Sequence, residues 1–463
     1  MENNNIKNLS TYDNYKPSDI EWIDNIPSHW FIKRVKNIGK LETSSVNKKI
    51  EEDEKLVKIV NFVDVFNDIK KELLNDIDYM VVSAKPQQII GSNVKVGDLL
   101  ITPSSEDMEE IGYSSVVKKE HTNTLFSYHL LRLSFYEEMN IDFKKYLFNS
   151  NYFLKSLSKV SKGTTRKILG LPVINSAKVL IPSLLEQKTI SKFLDKKTSL
   201  IDKKLEILKE RKKLILELEK SVINQVVTKG LQSFDLDMNG ETIDFNNDKG
   251  LNKVDFDTYM NECGYKDSGI EWIGWIPKKW SVKKYKNYFK SLMGNTILKE
   301  DLIENGKYPI YSATEKDKNF GYVNNINLTL NKGDIVIPAR GNSIGFVKLV
   351  DKVSTSTQTT IASKSLNKIN STFVYYYLKG NKKEIFKFET TAIPQYTVQD
   401  MEKQFLLVPF NKKEQKEISN YLDKKTTQFK KQVLNIDKEI GLFKEFRKTV
   451  INDVVTGKIK VIK

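Results

Sequence analysis

Residues 186–198 read EQKTISKFLDKKT, and residues 414–426 read EQKEISNYLDKKT. Ten of these thirteen positions are identical, at an offset of 228 residues that continues without a gap to Thr228 and Thr456. Within these limits neither copy contains proline, and Gly441 is the one glycine. An ungapped repeat of this length predicts one long helix in each half of the chain, about 60 Å long at 1.5 Å per residue.

Apolar residues recur every seven positions along both copies of the repeat. They are Leu194, Ile201, Leu208, Ile215 and Val222 in the first copy, and Leu422, Phe429, Ile436, Phe443 and Val450 in the second. This spacing is typical of a coiled-coil seam, whereas a helix that packs only on its own domain has a broader apolar face. Lys212, Glu219 and Arg447 interrupt the pattern. Two matching helices in one chain favour pairing within the molecule, and an ordinary amphipathic helix is the alternative.

A second repeat opens each half of the chain. Residues 15–30 read YKPSDIEWIDNIPSHW and residues 265–280 read YKDSGIEWIGWIPKKW, with ten of sixteen positions identical. These two segments, called the lead-ins below, contain every tryptophan of the chain: Trp22, Trp30, Trp272, Trp275 and Trp280. The Ile-Pro step disfavours helix before the proline, so each lead-in is predicted to be extended and anchored by buried indole rings. Stacking of the indoles on nucleic-acid bases is the alternative.

Between each lead-in and its helix lies a region of mixed pattern. Residues 94–101 and 330–337 each resemble a strand, a Gly-Asp turn and a second strand, and a polar loop follows both. Residues 142–157 and 372–379 have helical patterns. Each half is therefore predicted to be an α+β domain with a strongly bent sheet. Because the frame repeats while its loop residues differ, the two domains are typical of binding cassettes.

The segment between the first helix and the second lead-in departs from the basic character of the chain. Residues 231–264 contain eight acidic residues against Lys249 and Lys253, and they are predicted to be a solvated linker, with a binding role as the alternative. The predicted parts of the chain are a first domain at 1–183, a first spacer helix at 184–230, the linker at 231–264, a second domain at 265–411, and a second spacer helix with a tail at 412–463.

Composition restricts the class of protein. A chain of 463 residues is too long to fold around a single hydrophobic core, and its length suggests about two to four domains. Its 75 Lys and Arg against 59 Asp and Glu give a net charge of +16, which suits a polyanion such as nucleic acid. The single cysteine, Cys263, predicts neither a disulfide framework nor a thiolate metal site. Without a long apolar run or an apolar signal-peptide core, the expected location is cytoplasmic and nucleoid-associated.

The sequence contains no motif of a catalytic site. It lacks a GxxxxGK[ST] phosphate loop, a GxGxxG turn, and the adjacent prolines that amino-methyltransferase motifs require. The three histidines, His29, His121 and His129, do not have the spacing of metal ligands. We therefore expect no catalytic residue, metal ion or cofactor site in this chain.

Taken together, these features resemble the specificity subunit of type I restriction-modification systems. The resemblance rests on the two lead-ins, on the Glu-Gln-Lys steps at 186–188 and 414–416, and on helix ends that read VVTKG and VVTGK. It covers nearly the whole chain. It implies two target-recognition domains, each reading one half of a bipartite DNA site, separated by an antiparallel pair of coiled-coil helices. The long acidic linker and the shorter second domain depart from the family pattern.

The same resemblance implies a non-catalytic chain within a larger complex. It would assemble with two methyltransferase subunits, and with restriction subunits where these are present, in defence against foreign DNA. The cofactors S-adenosylmethionine, ATP and Mg²⁺ would belong to those partners. A stand-alone DNA-binding regulator or architectural protein with two basic domains on a coiled-coil spacer is the alternative function. A catalytic subunit with an unrecognised site is a third interpretation.

Candidate DNA-binding residues follow from the chemistry of base contacts. These contacts use Arg, Asn, Gln, Ser or Thr at loop tips, while Lys mainly positions phosphate groups. The candidates are Ser104, Ser105, Thr164, Thr165, Arg166 and Lys167 in the first domain, and Arg340, Asn342, Ser343, Gln358 and Gln395 in the second. For each of them, a solvated loop residue without any contact to DNA is the competing interpretation.

Overall fold

The computed structural model describes residues 10–75, 77–234, 241–248, 250–315, 319–387 and 394–461. The chain divides into two compact units. Unit 1 combines the residues up to Lys209 with those from Lys438 onward, and unit 2 runs from Glu210 to Asp437. Both boundaries fall inside long helices, so each unit contains one sheet-rich domain and part of each helix. The boundaries predicted from the sequence instead separate the domains from the helices.

Unit 1 opens with the antiparallel hairpin of β1 (Tyr15–Ile20) and β2 (Ile23–Pro27), which forms the first lead-in. Its further strands are β3 (Phe31–Arg34), β4 (Gly39–Thr43), β5 (Lys55–Val60), β6 (Glu72–Leu73), β7 (Met80–Ala84), β8 (Leu99–Ile101), β9 (Ser104–Ser105), β10 (Ser114–Val117), β11 (Thr124–Phe126), β12 (Leu131–Phe135), β13 (Lys167–Ile168) and β14 (Lys178–Ile181). Among the described residues, β4-β12-β8-β10-β6 and β11-β5-β7 form the two main sheets, and β13-β9 and β14-β3 form short pairs.

The helices of unit 1 cover this sheet structure and join it to the long helices. They are α1 (Val35–Ile38), α2 (Phe62–Phe66), α3 (Pro86–Ser92), α4 (Ile141–Phe148), α5 (Asn151–Ser158), α6 (Leu171–Ser176) and the start of α7 (Leu184–Lys229). The Asn140 side chain caps α4 by accepting a 2.9 Å hydrogen bond from the Phe143 amide. Phe143 is fully buried, in a core that includes Leu194 of α7. The domain and the long helix therefore share one hydrophobic core.

Unit 2 repeats this arrangement with fewer strands. They are β15 (Tyr265–Asp267), β16 (Trp275–Pro277), β17 (Ser281–Lys284), β18 (Phe289–Met293), β19 (Tyr308–Tyr311), β20 (Gly321–Val323), β21 (Ile335–Pro338), β22 (Lys348–Leu349), β23 (Thr355–Ser356), β24 (Thr360–Ser365) and β25 (Phe405–Val408). In the described part of the chain, β18-β24-β21-β22 and β20-β19-β23 form the main sheets, beside the pairs β15-β16 and β17-β25.

The helices of unit 2 are α8 (Lys253–Glu262), α9 (Ser371–Gly380), α10 (Lys382–Ile385), α11 (Val398–Lys403) and the start of α12 (Lys412–Val455), together with the end of α7. The Asn370 side chain caps α9 by accepting a 3.0 Å hydrogen bond from the Phe373 amide, as Asn140 does in unit 1. Phe373 is buried in a core that includes Val226 of α7 and Leu422 of α12. The same capping residue thus begins the same core helix in both units.

Helices α7 and α12 confirm the long helices that the repeat predicts. Of the predicted seam residues, Leu194, Ile201, Leu208, Leu422, Ile436 and Val450 are buried, and the others are half-buried. Within unit 1 the start of α7 shares a core with the end of α12, and within unit 2 the end of α7 shares a core with the start of α12. The pairing is therefore antiparallel, and the chain passes between the units twice, once inside each helix.

Each charged residue that interrupts the heptad pattern has an ion partner. The pairs are Lys212 with Asp437 at 2.7 Å, Glu219 with Lys379 at 3.0 Å, and Arg447 with Asp202 at 2.9 Å. The first and third pairs join α7 to α12 in the same antiparallel register. Asp202 and Lys212 are ten residues apart in α7, and their partners Arg447 and Asp437 are ten residues apart in the opposite direction in α12. The second pair joins α7 to α9. The interruptions therefore contribute to how the helices are fixed in register.

The prediction of a strand before each Gly-Asp turn is wrong. Strands β8 and β21 form after the turns, but residues 94–96 and 331–332 are not strands. Asn93 and Leu330 make only isolated bridges, to Leu125 and Ser354. An apolar run becomes a strand only where a partner strand continues beside it, and that partner is set by the tertiary fold rather than by the run itself.

The indole and linker predictions hold in part. Trp30 and Trp280 are buried, as expected, but Trp22 is 38% exposed. Residues 235–240 and 249 of the predicted linker lie outside the described residues. The remainder of the segment contains α8, where the Phe256 ring lies edge-to-face with Trp275 at 5.9 Å and Met260 is fully buried. This part of the segment is packed on the second lead-in and is not a solvated linker.

Each lead-in also contacts the end of a long helix. The Tyr15 hydroxyl donates a 3.0 Å hydrogen bond to the carbonyl of Gly457, two residues after α12. The Tyr265 hydroxyl donates a 3.0 Å hydrogen bond to the carbonyl of Lys229, the last residue of α7. The first residue of each lead-in thus makes the same contact, in unit 1 with α12 and in unit 2 with α7.

The junction in unit 1 requires a glycine. Gly457 has a φ of +75°, and a Cβ atom at this position would overlap the ring of Pro27. Beyond it, the Lys460 amide donates a 2.8 Å hydrogen bond to the Ser10 carbonyl. Segments from opposite ends of the described chain are therefore in direct contact within unit 1.

Candidate nucleic-acid interface

The glutamate that begins each copy of the repeat attaches the long helix to its own domain. The Trp30 indole Nε1 donates to Glu186 Oε1 at 3.2 Å, and the Trp280 indole Nε1 donates to Glu414 Oε1 at 2.7 Å. His29 Nε2 lies 3.0 Å from Glu186 Oε2. Burial opposes ionisation of Glu186, but the hydrogen bonds from His29 and Trp30 outweigh it and hold the pKa of this carboxyl below its usual range.

The glutamine that follows each glutamate contacts the start of a domain helix. Gln187 Oε1 accepts a 2.9 Å hydrogen bond from the Asn140 amide beside α4. Gln415 Oε1 accepts a 2.8 Å hydrogen bond from the Asn370 amide beside α9. Both glutamines are 3% exposed, so each satisfies a buried amide inside its unit. Their place in the repeat is explained by packing and not by contact with DNA.

Later residues of the repeat hold a buried tyrosine in each unit. The contacts are Tyr146 to Asp195 at 2.8 Å and to Thr198 at 3.1 Å, and Tyr376 to Asp423 at 2.6 Å and to Thr426 at 3.1 Å. Burial raises the pKa of both tyrosines, so their hydroxyls remain protonated and donate to the carboxylates. The most strongly repeated stretch of the chain therefore joins helix to domain, and the variable positions elsewhere are the candidates for recognition.

In unit 2 the fold brings three of the predicted DNA-binding residues to one edge. Arg340 follows β21 and forms an isolated antiparallel bridge with Gln395. On the other side, the Ala339 amide donates a 3.0 Å hydrogen bond to the Thr359 carbonyl, next to Gln358. The side chains of Arg340, Gln358 and Gln395 are all exposed. Asn342 is exposed too, in the 3-10 turn that follows Arg340.

In unit 1 the candidate residues also meet, although they are far apart in the sequence. The short strands β9 and β13 pair so that Ser104 faces Ile168 and Ser105 faces Lys167. Thr164, Thr165 and Arg166 form an exposed loop immediately before β13. In unit 1 the Leu169 amide donates a 2.8 Å hydrogen bond to the Pro103 carbonyl. In unit 2 the Tyr396 amide donates a 2.9 Å hydrogen bond to the Ala339 carbonyl. This edge of unit 1 is therefore the counterpart of the Arg340–Gln395 bridge.

The loop before β13 has a defined conformation. Gly163 has a φ of +119°, and a Cβ atom there would overlap the carbonyl of Arg166, so this position also requires glycine. Lys167 Nζ donates a 2.5 Å hydrogen bond back to the Gly163 carbonyl. The Arg166 guanidinium lies 5.8 Å from the centre of the Phe62 ring, within the range of a cation–π contact. The cationic groups of Arg166 and Lys167 are therefore held close to this edge.

Two predicted residues are turned away from solvent. Ser105 is 4% exposed, and its hydroxyl oxygen accepts a 3.1 Å hydrogen bond from the Asp107 amide. Ser343 is 8% exposed, and its hydroxyl donates a 3.3 Å hydrogen bond to the Arg340 carbonyl. Both hydroxyls stabilise local turns. The expectation that they lie at loop tips is wrong, because in both cases the backbone of the turn competes for the short side chain.

Two exposed residues at the edge of unit 1 are not among the candidates that the sequence predicts. Ile168, which faces Ser104, is 57% exposed, and Tyr128 is 50% exposed. Tyr128 lies at the tip of a turn, residues 127–130, in which the last amide donates a 3.0 Å hydrogen bond to the first carbonyl. Residues 357–360 form the same turn in unit 2, also with a 3.0 Å bond, and place Gln358 at its tip.

The corresponding edge residues of the two units are not separated by a constant number of positions, so the sequence repeat does not identify them. The offset is 236 from Ser104 to Arg340 but 230 from Tyr128 to Gln358. It changes because the loops between corresponding strands differ in length. Only the hydrogen-bond pattern, in which turns and bridges match one by one, identifies the corresponding residues. The pattern adds Tyr128 and Ile168 to the candidate interface of unit 1.

A separate cleft of about 940 Å³ in unit 1 lies among the domain and both long helices, and Lys71, Asp202 and Arg447 are among its lining residues. Asp202 and Arg447 are already paired with each other. Burial lowers the pKa of Lys71 to about 8, and its Nζ lies 4.4 Å from the centre of the Tyr113 ring. Asp202, Arg447 and Lys71 therefore each have a contact within the protein.

Neither a metal site nor a membrane segment is found in the part of the chain that the structure describes. There, no group of three or more His, Cys, Asp or Glu side chains is placed to hold a metal ion. Among the same residues, no helix combines the length and the apolar character that crossing a membrane requires.

Two sheet-rich domains that carry matching edges with different side chains, attached to a shared pair of long helices, define a two-part recognition protein. The chain belongs to the family described as the type I restriction modification DNA specificity domain, whose profile matches residues 27–217 and 277–437. This confirms the resemblance inferred from the lead-ins and helix ends. Recognition of a DNA sequence follows from membership of this family.

Two curated relatives are similar to the chain. The MjaIX specificity subunit of a type I restriction enzyme from Methanocaldococcus jannaschii is 23% identical over 469 residues, which cover 96% of this chain and 96% of the relative. The MjaVIII specificity subunit of the same organism is 26% identical over 210 residues, covering 42% of this chain and 45% of that relative. The first similarity extends over almost the full length of both proteins.

Two solved structures share the fold. A chain from a type I R-M system, studied for complex assembly and conformational transition, has a TM-score of 0.64 at 13% identity and covers 94% of this chain and 99% of its own length. The HsdS subunit from Thermoanaerobacter tengcongensis has a TM-score of 0.50 at 14% identity, with 94% and 98% covered. The predicted α+β fold, with two domains joined by two long antiparallel helices, is confirmed.

Proposed function

We propose that this chain recognises a bipartite DNA sequence, and that the exposed edge of each unit reads one half-site. The observation that carries the proposal is a single backbone frame that occurs twice and presents different side chains. Ser104 occupies the place of Arg340, and Ile168 occupies the place of Gln395. A frame held by internal hydrogen bonds keeps its position on DNA while its edge residues determine the sequence recognised.

Charge supports the same function. The net charge of +16 attracts DNA regardless of sequence, and Lys contributes mainly by neutralising phosphate groups. The exposed edge of unit 2 instead carries Arg340, Gln358 and Gln395, which are the side-chain types that make paired hydrogen bonds to base edges. Affinity and sequence preference are thus assigned to different residues, so variants should separate them.

The catalytic steps are assigned to partner subunits. The chain would assemble with two methyltransferase subunits, and with restriction subunits where the system has them. S-adenosylmethionine, ATP and Mg²⁺ would be bound by those partners. Family membership supports this division, and the sequence adds to it because it lacks phosphate-loop and amino-methyltransferase motifs. The chain itself would transfer no methyl group and cut no DNA.

The long helices would set the distance between the half-sites. The chain passes from one unit to the other only inside α7 and α12, and ion pairs fix their register within each unit. A helix has a fixed rise and rotation per residue, so it can keep two DNA-contacting edges at a constant distance and phase. A flexible linker of the same length would allow many spacings.

Methylation mapping of the assembled complex tests the proposal. The chain would be produced with its methyltransferase partner, and methylated bases would be located in DNA of known sequence. We expect two short motifs separated by a spacer of constant length. A contiguous motif, or methylation without sequence preference, would contradict the proposal. The purified chain alone serves as the control, and methyl transfer by it would contradict the division of labour.

A further inference from the structure

We propose that one row of three positions reads bases in both units, and that Tyr128, Ser104 and Ile168 form this row in unit 1. The corresponding row in unit 2 is Gln358, Arg340 and Gln395. This inference rests on the proposed function, and it adds the chemistry by which the first half-site is recognised. The outer residues of the unit 1 row contact the C5 methyl groups of thymine, whereas the unit 2 row makes hydrogen bonds to guanine and adenine.

Backbone contacts establish that the two rows correspond. Leu131 of β12 pairs with Ile101 of β8, as Ile361 of β24 pairs with Ile337 of β21. In each unit a turn with a 3.0 Å closing hydrogen bond leads into this strand, and Tyr128 or Gln358 lies at the tip of the turn. In each unit the segment after β8 or β21 then bridges to a third segment, through Ser104 to Ile168 or through Arg340 to Gln395.

The dimensions of the row suit a few base pairs. Neighbouring strand segments lie about 4.8 Å apart, so three of them span about 10 Å. Successive base pairs are separated by about 3.4 Å along the DNA axis, so the row can address about three of them. Side chains on directly paired residues extend from the same face of a sheet, which places Ser104 with Ile168, and Arg340 with Gln395, on one surface.

Exposure distinguishes the row of unit 1 from an ordinary packed edge. Tyr128 and Ile168 are 50% and 57% exposed, although large apolar side chains are usually covered. The Tyr128 ring is held against His129, with ring centres 3.8 Å apart, and its amide donates a 3.1 Å hydrogen bond to the Val46 carbonyl. Tyr128 is therefore held in place while half of its surface remains open to a ligand.

Charge around the row fits a polyanion. Burial and the positive charges of Lys48 and Arg166 lower the pKa of His129, the neighbour of Tyr128. Arg166 also contacts the ring of Phe62. Apolar residues flanked by cations match a DNA groove, in which base methyl groups lie between phosphate-bearing strands. An apolar protein partner would not require the flanking cations.

The chemistry of the two rows predicts different half-sites. Among the bases only thymine presents a methyl group in the major groove, and apolar side chains recognise it by contact. Arginine matches guanine and glutamine matches adenine through paired hydrogen bonds. We therefore expect at least one thymine in the first half-site whose methyl group is required, and a guanine in the second half-site whose recognition depends on Arg340.

The test uses the complex with its methyltransferase partner and duplexes that carry the mapped site. Deoxyuridine, which lacks only the methyl group, replaces each thymine in turn. With wild-type protein we expect one replacement in the first half-site to weaken binding about fourfold, the value of one buried methyl group. Tyr128→Ala and Ile168→Ser should weaken binding to the unmodified site about tenfold, and the deoxyuridine effect should disappear in at least one of them.

Tyr136→Ala is the matched control, because Tyr136 is 64% exposed at the opposite end of β12. It should bind like the wild type. If Tyr128→Ala and Ile168→Ser both retain wild-type affinity and the same deoxyuridine profile, the row in unit 1 is not the reading surface. If that happens while Arg340→Ala still changes the second half-site, this inference fails and the proposed function stands. A wild-type complex without any sequence preference would overturn both.

Discussion

Ser104 and Arg340 occupy corresponding positions of the backbone in the two units but differ strongly in chemistry. Both residues follow a central strand, and each bridges to a residue from a distant part of the sequence. One side chain is a short hydroxyl, and the other is a long cation that can form two parallel hydrogen bonds to guanine. Because the backbone is held by the same contacts in both units, substitution at these positions should alter recognition more than stability.

Arg340→Ala should relax recognition of the second half-site and leave the first unchanged. Loss of a paired contact to guanine costs about 1–3 kcal/mol of binding free energy. Lys332→Ala is a suitable control, since Lys332 is exposed just before the other end of β21. Competition binding with every single-base variant of the site would measure the effect. An equal loss of affinity for all sequences would assign Arg340 to phosphate contact instead.

Glu186→Gln should reduce stability in a pH-dependent way. The pKa of Glu186 is lowered in the folded protein, so its contribution to stability is present at neutral pH and is lost as the pH falls through that lowered value. We expect the variant to lose about 1–3 kcal/mol at neutral pH, because hydrogen bonds to the charged carboxylate are weakened. The difference should shrink at acid pH, below the usual range of a glutamate, as the carboxyl of Glu186 becomes protonated.

Urea unfolding at several pH values would measure this difference. Glu210→Gln is the control, since the Glu210 side chain is 60% exposed on α7 and its replacement should change the unfolding midpoint little. A loss of stability in Glu186→Gln that does not vary with pH would show that shape, and not charge, is what matters at this residue.

At the scale of elements, the sequence predicted what depends on local periodicity. The helices α7 and α12 were predictable because their repeat and heptad spacing are properties of neighbouring residues. The strand expected at Val94–Val96 was not formed, because a strand also needs a partner from elsewhere in the chain.

The row of Tyr128, Ser104 and Ile168 could not be predicted, since three distant segments create it. Residue type alone predicts Arg340 and Gln395 as candidates, whereas the bridge between them depends on the fold.

Charges along the seam select one pairing of helices. Within the repeat, the counterpart of Arg447 is Glu219, and the counterpart of Asp437 is Lys209. If α7 paired with α7 of a second copy in the same register, Asp202 would face Glu219 and Lys212 would face Lys209. Two attractive contacts would become repulsive ones, which opposes such pairing. The two helices are related by duplication, but their charges favour pairing of α7 with α12 over pairing of α7 with a second copy of α7.

Exchanging the charges of one pair tests this role. Arg447→Asp and Asp202→Arg each place like charges together and should each lower the free energy of unfolding by about 1 kcal/mol. The double variant restores opposite charges and should recover most of the loss. Thermal unfolding of all four proteins completes the cycle, and exchange of the exposed Glu210 and Lys213 on α7 is the control. Additive losses in the double variant would show that the pair does not couple.

At the scale of the whole molecule, the proposed spacing function depends on helix length. Four extra residues add about 6 Å and a net rotation of about 40°. One base pair adds about 3.4 Å and about 35°, so the rotation matches one base pair closely. Because contacts with DNA depend on phase, we expect a spacer that is one base pair longer, with both half-sites unchanged.

The insertion is best made in both helices at matched positions. In the register of the ion pairs, a site after Lys213 in α7 faces a site after Asn435 in α12, so four residues at each keep the remaining seam aligned. Insertion in α7 alone is the control, and it should lose stability because the seam is shifted. Methylation mapping reports the spacer. If the double insertion keeps the original spacer length, the helices do not set the distance between the half-sites.

The contact of Tyr15 with the end of α12 gives the molecule a cyclic order. Lead-in, domain and helix follow one another twice, and Tyr15 meets the second helix as Tyr265 meets the first. The Lys460 amide already donates to the Ser10 carbonyl at 2.8 Å, so a short loop can join these segments. A circular permutant that is joined there and opened before Glu241 should direct its methyltransferase partner to the same sites as the wild type does. Loss of both half-sites would show that the order of the segments along the chain matters. If both half-sites are kept, recognition does not depend on which half of the molecule comes first in the chain.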